Sequence, residues 1–330
     1  MSLTLHIIGF LAAAAVIVFS GTKLSKYGDM MADMMGWGKM FMGLILLAAV
    51  TSLPELMTGI SAVTIVDSPD LAVGDIVGSC ALNILILSIL DVYTHKQKPL
   101  TSVIQTGHII AASFAIVLLA MLGFAILKPA IFGTVIWIGG FSLLFVGVYI
   151  LSMRVVFLYE KKRPLIDTHP FKFDLTLKQV VLRYIYNACL VMFAAMALPW
   201  LGEHIAAEFG ISEGLFGTLF LAASTVLPEV VVSIAAVRIG AIDMAIGNLF
   251  GSTIFNIGIL GLIDVLYTKG PIFLYTSPNH IVPVLSTIIF IAIAIIGIVF
   301  KSEKKWKLAM DTAAILILYI MMMVLLATLD

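Results

Sequence analysis

Charge is scarce in this sequence. Asp, Glu, Lys and Arg make up 12% of its 330 residues, about half the share of an ordinary soluble domain. Neither sign is in excess, with 19 Lys and Arg against 19 Asp and Glu, so nothing in the balance points to nucleic acid or to a polyanionic partner. Cysteine is nearly absent. Cys80 and Cys189 stand alone in apolar runs, which excludes a disulfide framework and a cysteine-built metal cluster. The alternation of apolar and polar residues that marks a membrane barrel strand is missing as well. Apolar residues fill the sequence instead: 62% of the chain, with a mean hydropathy of +1.15. A water-soluble enzyme could not hide that much apolar surface inside one globule, so the expected solvent is a lipid bilayer.

Crossing about 30 Å of hydrocarbon takes roughly 20 apolar residues at about 1.5 Å each. Ten stretches of this kind run over approximately 5–21, 39–65, 70–92, 103–125, 130–152, 178–200, 214–239, 243–266, 281–300 and 308–329. The first has no basic leader and no small-residue cleavage site, so it reads as a span and not a secretory signal. An outside N-terminus places every Lys and Arg except Lys128 and Lys269 on the inner side, which predicts that both termini lie outside; with no targeting segment recognised, the plasma membrane is the expected location. The polar stretch at 153–177, with Glu160-Lys161-Lys162-Arg163-Pro164, is the expected basic inner linker between five-span halves at 1–152 and 178–330.

The halves are related. Gly43 to Val66 aligns with Gly217 to Gly240 at an offset of 174, and Asp70 to Tyr93 with Asp243 to Leu266 at 173; 23 of these 48 pairs are identical. The matches include Thr51/Thr225, Pro54/Pro228, Glu55/Glu229, Gly78/Gly251, Ser79/Ser252, Asn83/Asn256 and Asp91/Asp264, which apolar composition alone does not produce. Because five is odd, the two copies cross the bilayer in opposite directions. The fold class expected is an all-α polytopic membrane protein, ten transmembrane helices built as two inverted five-helix repeats. Transporters use such repeats to place substrate near the midplane.

Glu55 and Glu229 are the only acids deep within these spans, and no Lys, Arg or His lies at comparable depth. A carboxylate there costs several kcal/mol unless it is compensated, so an inverted pair of them asks for a cation. The donors around them are oxygens. Hydroxyls of Thr51, Ser52 and Thr225 lie within a turn, Pro54 and Pro228 break the helix hydrogen bonding, and the carbonyls of Ala48 and Ala222 fall in the preceding turn. Ser79 and Asn83 share a face of the next helix, as do Ser252 and Asn256. Such donors suit a hard cation such as Ca2+ or Na+. Gly74, Gly78, Gly247 and Gly251 read as close-packing positions, and Asp70, Asp75, Asp91, Asp243 and Asp264 as solvated or capping residues near span ends.

The motifs Thr51-Ser52-Leu53-Pro54-Glu55 with Gly78-Ser79-Cys80-Ala81-Leu82-Asn83, and Thr225-Val226-Leu227-Pro228-Glu229 with Gly251-Ser252-Thr253-Ile254-Phe255-Asn256, closely resemble the two alpha-repeats of the cation/calcium exchanger superfamily, in its sodium/calcium exchanger branch. The resemblance implies a secondary antiporter exchanging Ca2+ for Na+ by alternating access, not an enzyme, with the ions as substrates and no cofactor. It assigns Ca2+ to Glu55, Glu229, Thr51 and Thr225, and Na+ to Ser52, Ser79, Ser252 and the Ala48 and Ala222 carbonyls, with Asn83 beside the central site. It also makes spans 1 and 6 a long pair that slides across the other eight. Two positions depart from the pattern: Val226 stands where a Ser is usual and Asn256 where an Asp is common. An exchanger of the same fold that is coupled to H+, or that carries another cation, is therefore the alternative. The pattern is compatible with a monomer in the bilayer.

Overall fold

The structure, a computed structural model, describes residues 3–93, 100, 105, 107–162, 175–208, 224–300 and 308–328. These form ten helices: α1 (Leu3–Met35), α2 (Lys39–Val66), α3 (Pro69–Tyr93), α4 (Gly107–Leu127), α5 (Gly140–Lys161), α6 (Leu177–Glu208), α7 (Leu227–Arg238), α8 (Ile242–Leu266), α9 (Ile281–Phe300) and α10 (Met310–Leu326). Eight are long and apolar enough to cross a membrane, and α10 is a shorter apolar helix. The expected start of the seventh span, with Ala222, and Arg163 to Asp174 of the linker lie outside the described residues.

The first, fifth and sixth spans depart furthest from their expected bounds, the sixth running on to Glu208. The first continues to Met35, because Lys23, Lys26, Asp29 and Asp33 lower the hydropathy without breaking the helix. Lys39 then pairs with Asp29 at 2.6 Å and with Asp33 at 3.8 Å. The fifth span begins at Gly140, not near 130, because a small hairpin precedes it. Its strands β1 (Thr134–Val135) and β2 (Ile138–Gly139) are antiparallel, with Thr134 opposite Gly139 and Val135 opposite Ile138. Ile136, at φ 62°, turns the chain where glycine is the usual choice.

The chain divides into two compact units that do not follow the sequence halves, each taking parts of both. One unit joins residues 1–54 to residues 157–248. It holds α1 and α6, the two longest helices at 33 and 32 residues, with α7. Ile17, Ala195 and Leu198 form a small core there, flanked by Phe10, Ala13, Ala194, Leu227 and Val231. The Ser25 hydroxyl donates to the Val232 carbonyl at 2.8 Å. In the same unit the first turns of α2 and α8 meet backbone to backbone. A Cβ on Gly43 would lie 2.0 Å from the Met244 carbonyl oxygen, and one on Gly247 2.5 Å from that of Met40. Gly43→Ala is therefore expected to destabilise the protein by roughly 1–3 kcal/mol through overpacking, read as a lower melting temperature in detergent; an unchanged midpoint would contradict that contact.

The other unit joins residues 55–156 to residues 249–330. Two buried aspartates tie it together, and they are repeat counterparts. Asp91, near the end of α3, accepts the Leu100 N–H at 2.8 Å, the Ala309 N–H at 2.7 Å and the Thr312 hydroxyl at 3.0 Å. Asp264, near the end of α8, accepts the Gly139 N–H and the Ile272 N–H, both at 2.7 Å. Each thus holds a backbone N–H that follows its own helix and the start of the last helix of the opposite half. Neither aspartate is exposed. Solvation or capping was the sequence expectation; these two groups are not solvated but cap, in the interior and across the repeats. Where α2 turns into α3, Asp67 pairs with Lys269 and holds its ammonium above the ordinary lysine value, chiefly through their hydrogen bond.

Candidate cation site

The two glutamates occupy matching backbone positions. α2 stops at Ser52, with φ −90° and ψ 7°, and resumes at Leu53. Ahead of α7 the chain makes the same break at Val226, with φ −82° and ψ −4°, and helix begins at Leu227. Pro54 and Pro228 then fall in the first turn of a helix, where an N–H is not needed. One residue later Glu55 and Glu229 sit in that same turn, facing the positive end of the helix dipole. The broken backbone expected from the prolines is thus a full interruption, two residues ahead of each proline. Irregular backbone at membrane depth belongs where it is buried or lines a cavity.

In the unit containing Glu229, several expected site residues come together. Glu229 is fully buried, and its Oε1 accepts the Ser52 hydroxyl at 3.4 Å. Thr51 and Thr225 are buried as well. The Ala48 carbonyl already receives the Ser52 N–H at 3.0 Å and the Thr51 hydroxyl at 3.4 Å. Asn248, absent from the sequence expectation, belongs to this group. Its Oδ1 accepts the Thr51 hydroxyl at 3.3 Å and its Nδ2 donates to the Ser233 hydroxyl at 3.1 Å. The signal was present, since the repeat register pairs Asn248 with the polar Asp75.

The unit containing Glu55 brings in the remaining residues. Glu55, Ser79, Asn83, Ser252 and Asn256 are all fully buried. The Ser79 hydroxyl and both amide atoms of Asn83 and of Asn256 find no hydrogen-bond partner among the described residues. A lost partner for such groups costs about 1–3 kcal/mol each, so they fit a site completed by something other than protein. The Cys80 thiol approaches the carbonyl of Thr253 at 3.8 Å. These two are repeat counterparts, so the inverted symmetry of this unit passes close to them. Gly247 is a close-packing position as expected, but Gly78 is not: a Cβ there would meet no atom within 4 Å. Among the described residues no three His, Cys, Asp or Glu side chains gather in one place, so the donors on offer are hard oxygens and amides.

The family model for the sodium/calcium exchanger protein matches residues 5–158 and 180–328. The chain belongs to the sodium/calcium exchanger family. That family is one of secondary transporters and not of enzymes. Among curated relatives, the inner membrane protein YrbG of Escherichia coli is 28% identical over 309 residues, 88% of this chain and 87% of that one. The sodium/calcium exchanger MaX1 of Methanosarcina acetivorans is 34% identical over 106 residues, 30% of this chain and 27% of MaX1. A solved structure of the sodium-calcium exchanger NCX_Mj, soaked with Na+ and no Ca2+, superposes with a TM-score of 0.73 at 20% identity, covering 97% of this chain and 98% of that one. The likeness establishes the fold, a ten-helix inverted-repeat architecture, and the protein is a multi-pass membrane protein.

Proposed function

We propose that this family member exchanges Ca2+ for Na+ by alternating access, with Glu55 and Glu229 as the charged ligands of the transported cation. The observation that carries the reading is the duplicated element: two buried glutamates, each in the first turn of a helix that starts after the same backbone break. Thr51, Thr225, Asn83 and Asn256 supply further donors to Ca2+. Ser52, Ser79, Ser252 and the carbonyls of Ala48 and Ala222 serve Na+. The name of the family and that of MaX1 support both ions. Two carboxylates balance one Ca2+. With no ion bound, two negative charges would lie in low dielectric without a metal ion to balance them, so an unloaded site crosses poorly and leak is suppressed. The loop charges support a topology with both termini outside, and we place the protein in the plasma membrane.

Coupling to H+ has one observation in its favour. Val226 is 2% exposed and offers an isopropyl group where α2 offers the Ser52 hydroxyl. Flux separates the two readings. In proteoliposomes loaded with Ca2+, an inward Na+ gradient is expected to drive Ca2+ release, and a pH gradient of equal size is not. Release driven by the pH gradient alone would replace Na+ with H+ in this proposal.

A further inference from the structure

Along α3, the residues Asp75, Ser79 and Asn83 follow at intervals of four and share one face. Asp75 lies about 9 Å along the helix from its start at Pro69, and Glu55 about 16 Å from the end of α2, so Asp75 stands between Glu55 and the α2–α3 turn. The two are linked. Thr58 Oγ1 contacts Asp75 Oδ2 at 2.7 Å and the Glu55 carbonyl at 3.1 Å. No Lys, Arg or His among the described residues forms an ion pair with Asp75; His280, which packs on the neighbouring Gly74, is engaged by Asp70 at 2.9 Å.

The repeat counterpart shows the position with its hydrogen bonding completed by protein groups. Asn248 is an amide, fully buried, with hydrogen bonds to Thr51 and Ser233. Asp75 carries a charge instead, is half-buried, and has a single protein hydroxyl on it. Beside it lies room, since Gly78, three residues on, has open space where a side chain would go. One turn on, the Ser79 hydroxyl is buried with no partner, and Asn83 after it is the same. A largely buried carboxylate within a membrane helix belongs against water or an ion, not against lipid.

We propose that Asp75, with the Thr58 and Ser79 oxygens, forms a further binding position for a hard cation on the path to Glu55, entered from the α2–α3 side. This rests on the proposed cation exchange. Its role is to concentrate Ca2+ next to Glu55, so its loss weakens ion capture more than turnover.

Two substitutions separate charge from scaffold. Asp75→Asn removes the charge and keeps an acceptor for Thr58, whereas Thr58→Val removes the hydrogen bond and keeps the charge. In proteoliposomes of the full chain, with Ca2+ applied on the α2–α3 side, Asp75→Asn is expected to raise the KM for Ca2+ about tenfold with maximal rate within about twofold. Thr58→Val should raise it no more than about threefold, and Asp75→Glu should restore most of the affinity. Equal effects of Asp75→Asn and Thr58→Val, or a KM within about twofold of wild type for Asp75→Asn, overturn the proposal. Glu55→Gln and Glu229→Gln run beside it as controls. Transport surviving in those sinks the exchange reading itself, whereas transport lost there with Asp75→Asn unaffected sinks the Asp75 position alone.

Discussion

Calcium uptake into vesicles is expected to fall by at least about 100-fold when Glu229 is replaced by Gln, and equally for Glu55→Gln. Glutamine keeps the shape of the side chain and one carbonyl oxygen, so the Ser52 hydroxyl still has an acceptor at position 229. Only the charge goes. A divalent ion facing a single carboxylate would cross with an uncompensated positive charge. A loss of about 3 kcal/mol in ion binding, the scale set by one charge at membrane depth, is roughly a 100-fold change in affinity. Because both glutamates are fully buried, neutral variants should be as easily folded as wild type, or more so. Elution as a single species together with lost uptake is the expected pair of results. Uptake within a few-fold of wild type in either variant would remove that glutamate from the site.

The second large effect concerns stability. Asp264→Ala leaves the Gly139 and Ile272 N–H groups buried without an acceptor, and Asp91→Ala does the same to the Leu100 and Ala309 N–H groups. Two orphaned donors cost roughly 2–6 kcal/mol, enough to lower the melting temperature in detergent by many degrees or to prevent folding. The Asn variants keep one strong acceptor and should fall about midway. Full stability of Asp264→Ala would mean that the N-terminal approach to α5 is held by something else. Because the two clasps tie opposite halves together, losing either should release both a loop and the start of a helix from the other half, visible as faster amide exchange around Gly139 or Ala309.

Much of this architecture is legible in the sequence, and for a definite reason. Long apolar runs and loop charge are transfer properties, which add along the chain and need no tertiary information. The Thr51–Glu55 and Thr225–Glu229 motifs reveal themselves by repetition, because apolar composition cannot place polar residues in register. What escapes are features made by contact. The α1 extension to Met35 is stabilised by helix hydrogen bonds and by the Lys39 pairs, which a hydropathy average does not see. The hairpin before α5 turns on Ile136, a residue with no turn signature, and is anchored by the Trp137 indole on the Val265 carbonyl at 3.0 Å. Asp91 and Asp264 lie near span ends and so look solvated; only the chain returning from the opposite half buries them. Gly78 looks like a packing position because it pairs with Gly251, yet the space beside it is open.

The break before α7 has the shape of the one inside α2 although an isopropyl group replaces a hydroxymethyl at its centre. The Leu-Pro-Glu that follows, and not the side chain at the bend, therefore sets the form of the interruption. Scaffold and donor list are in this way independent variables. A descendant of the duplicated gene can trade one coordinating oxygen for a hydrocarbon, and so alter which ions it carries and in what ratio, without re-engineering the joint around which the cargo is held.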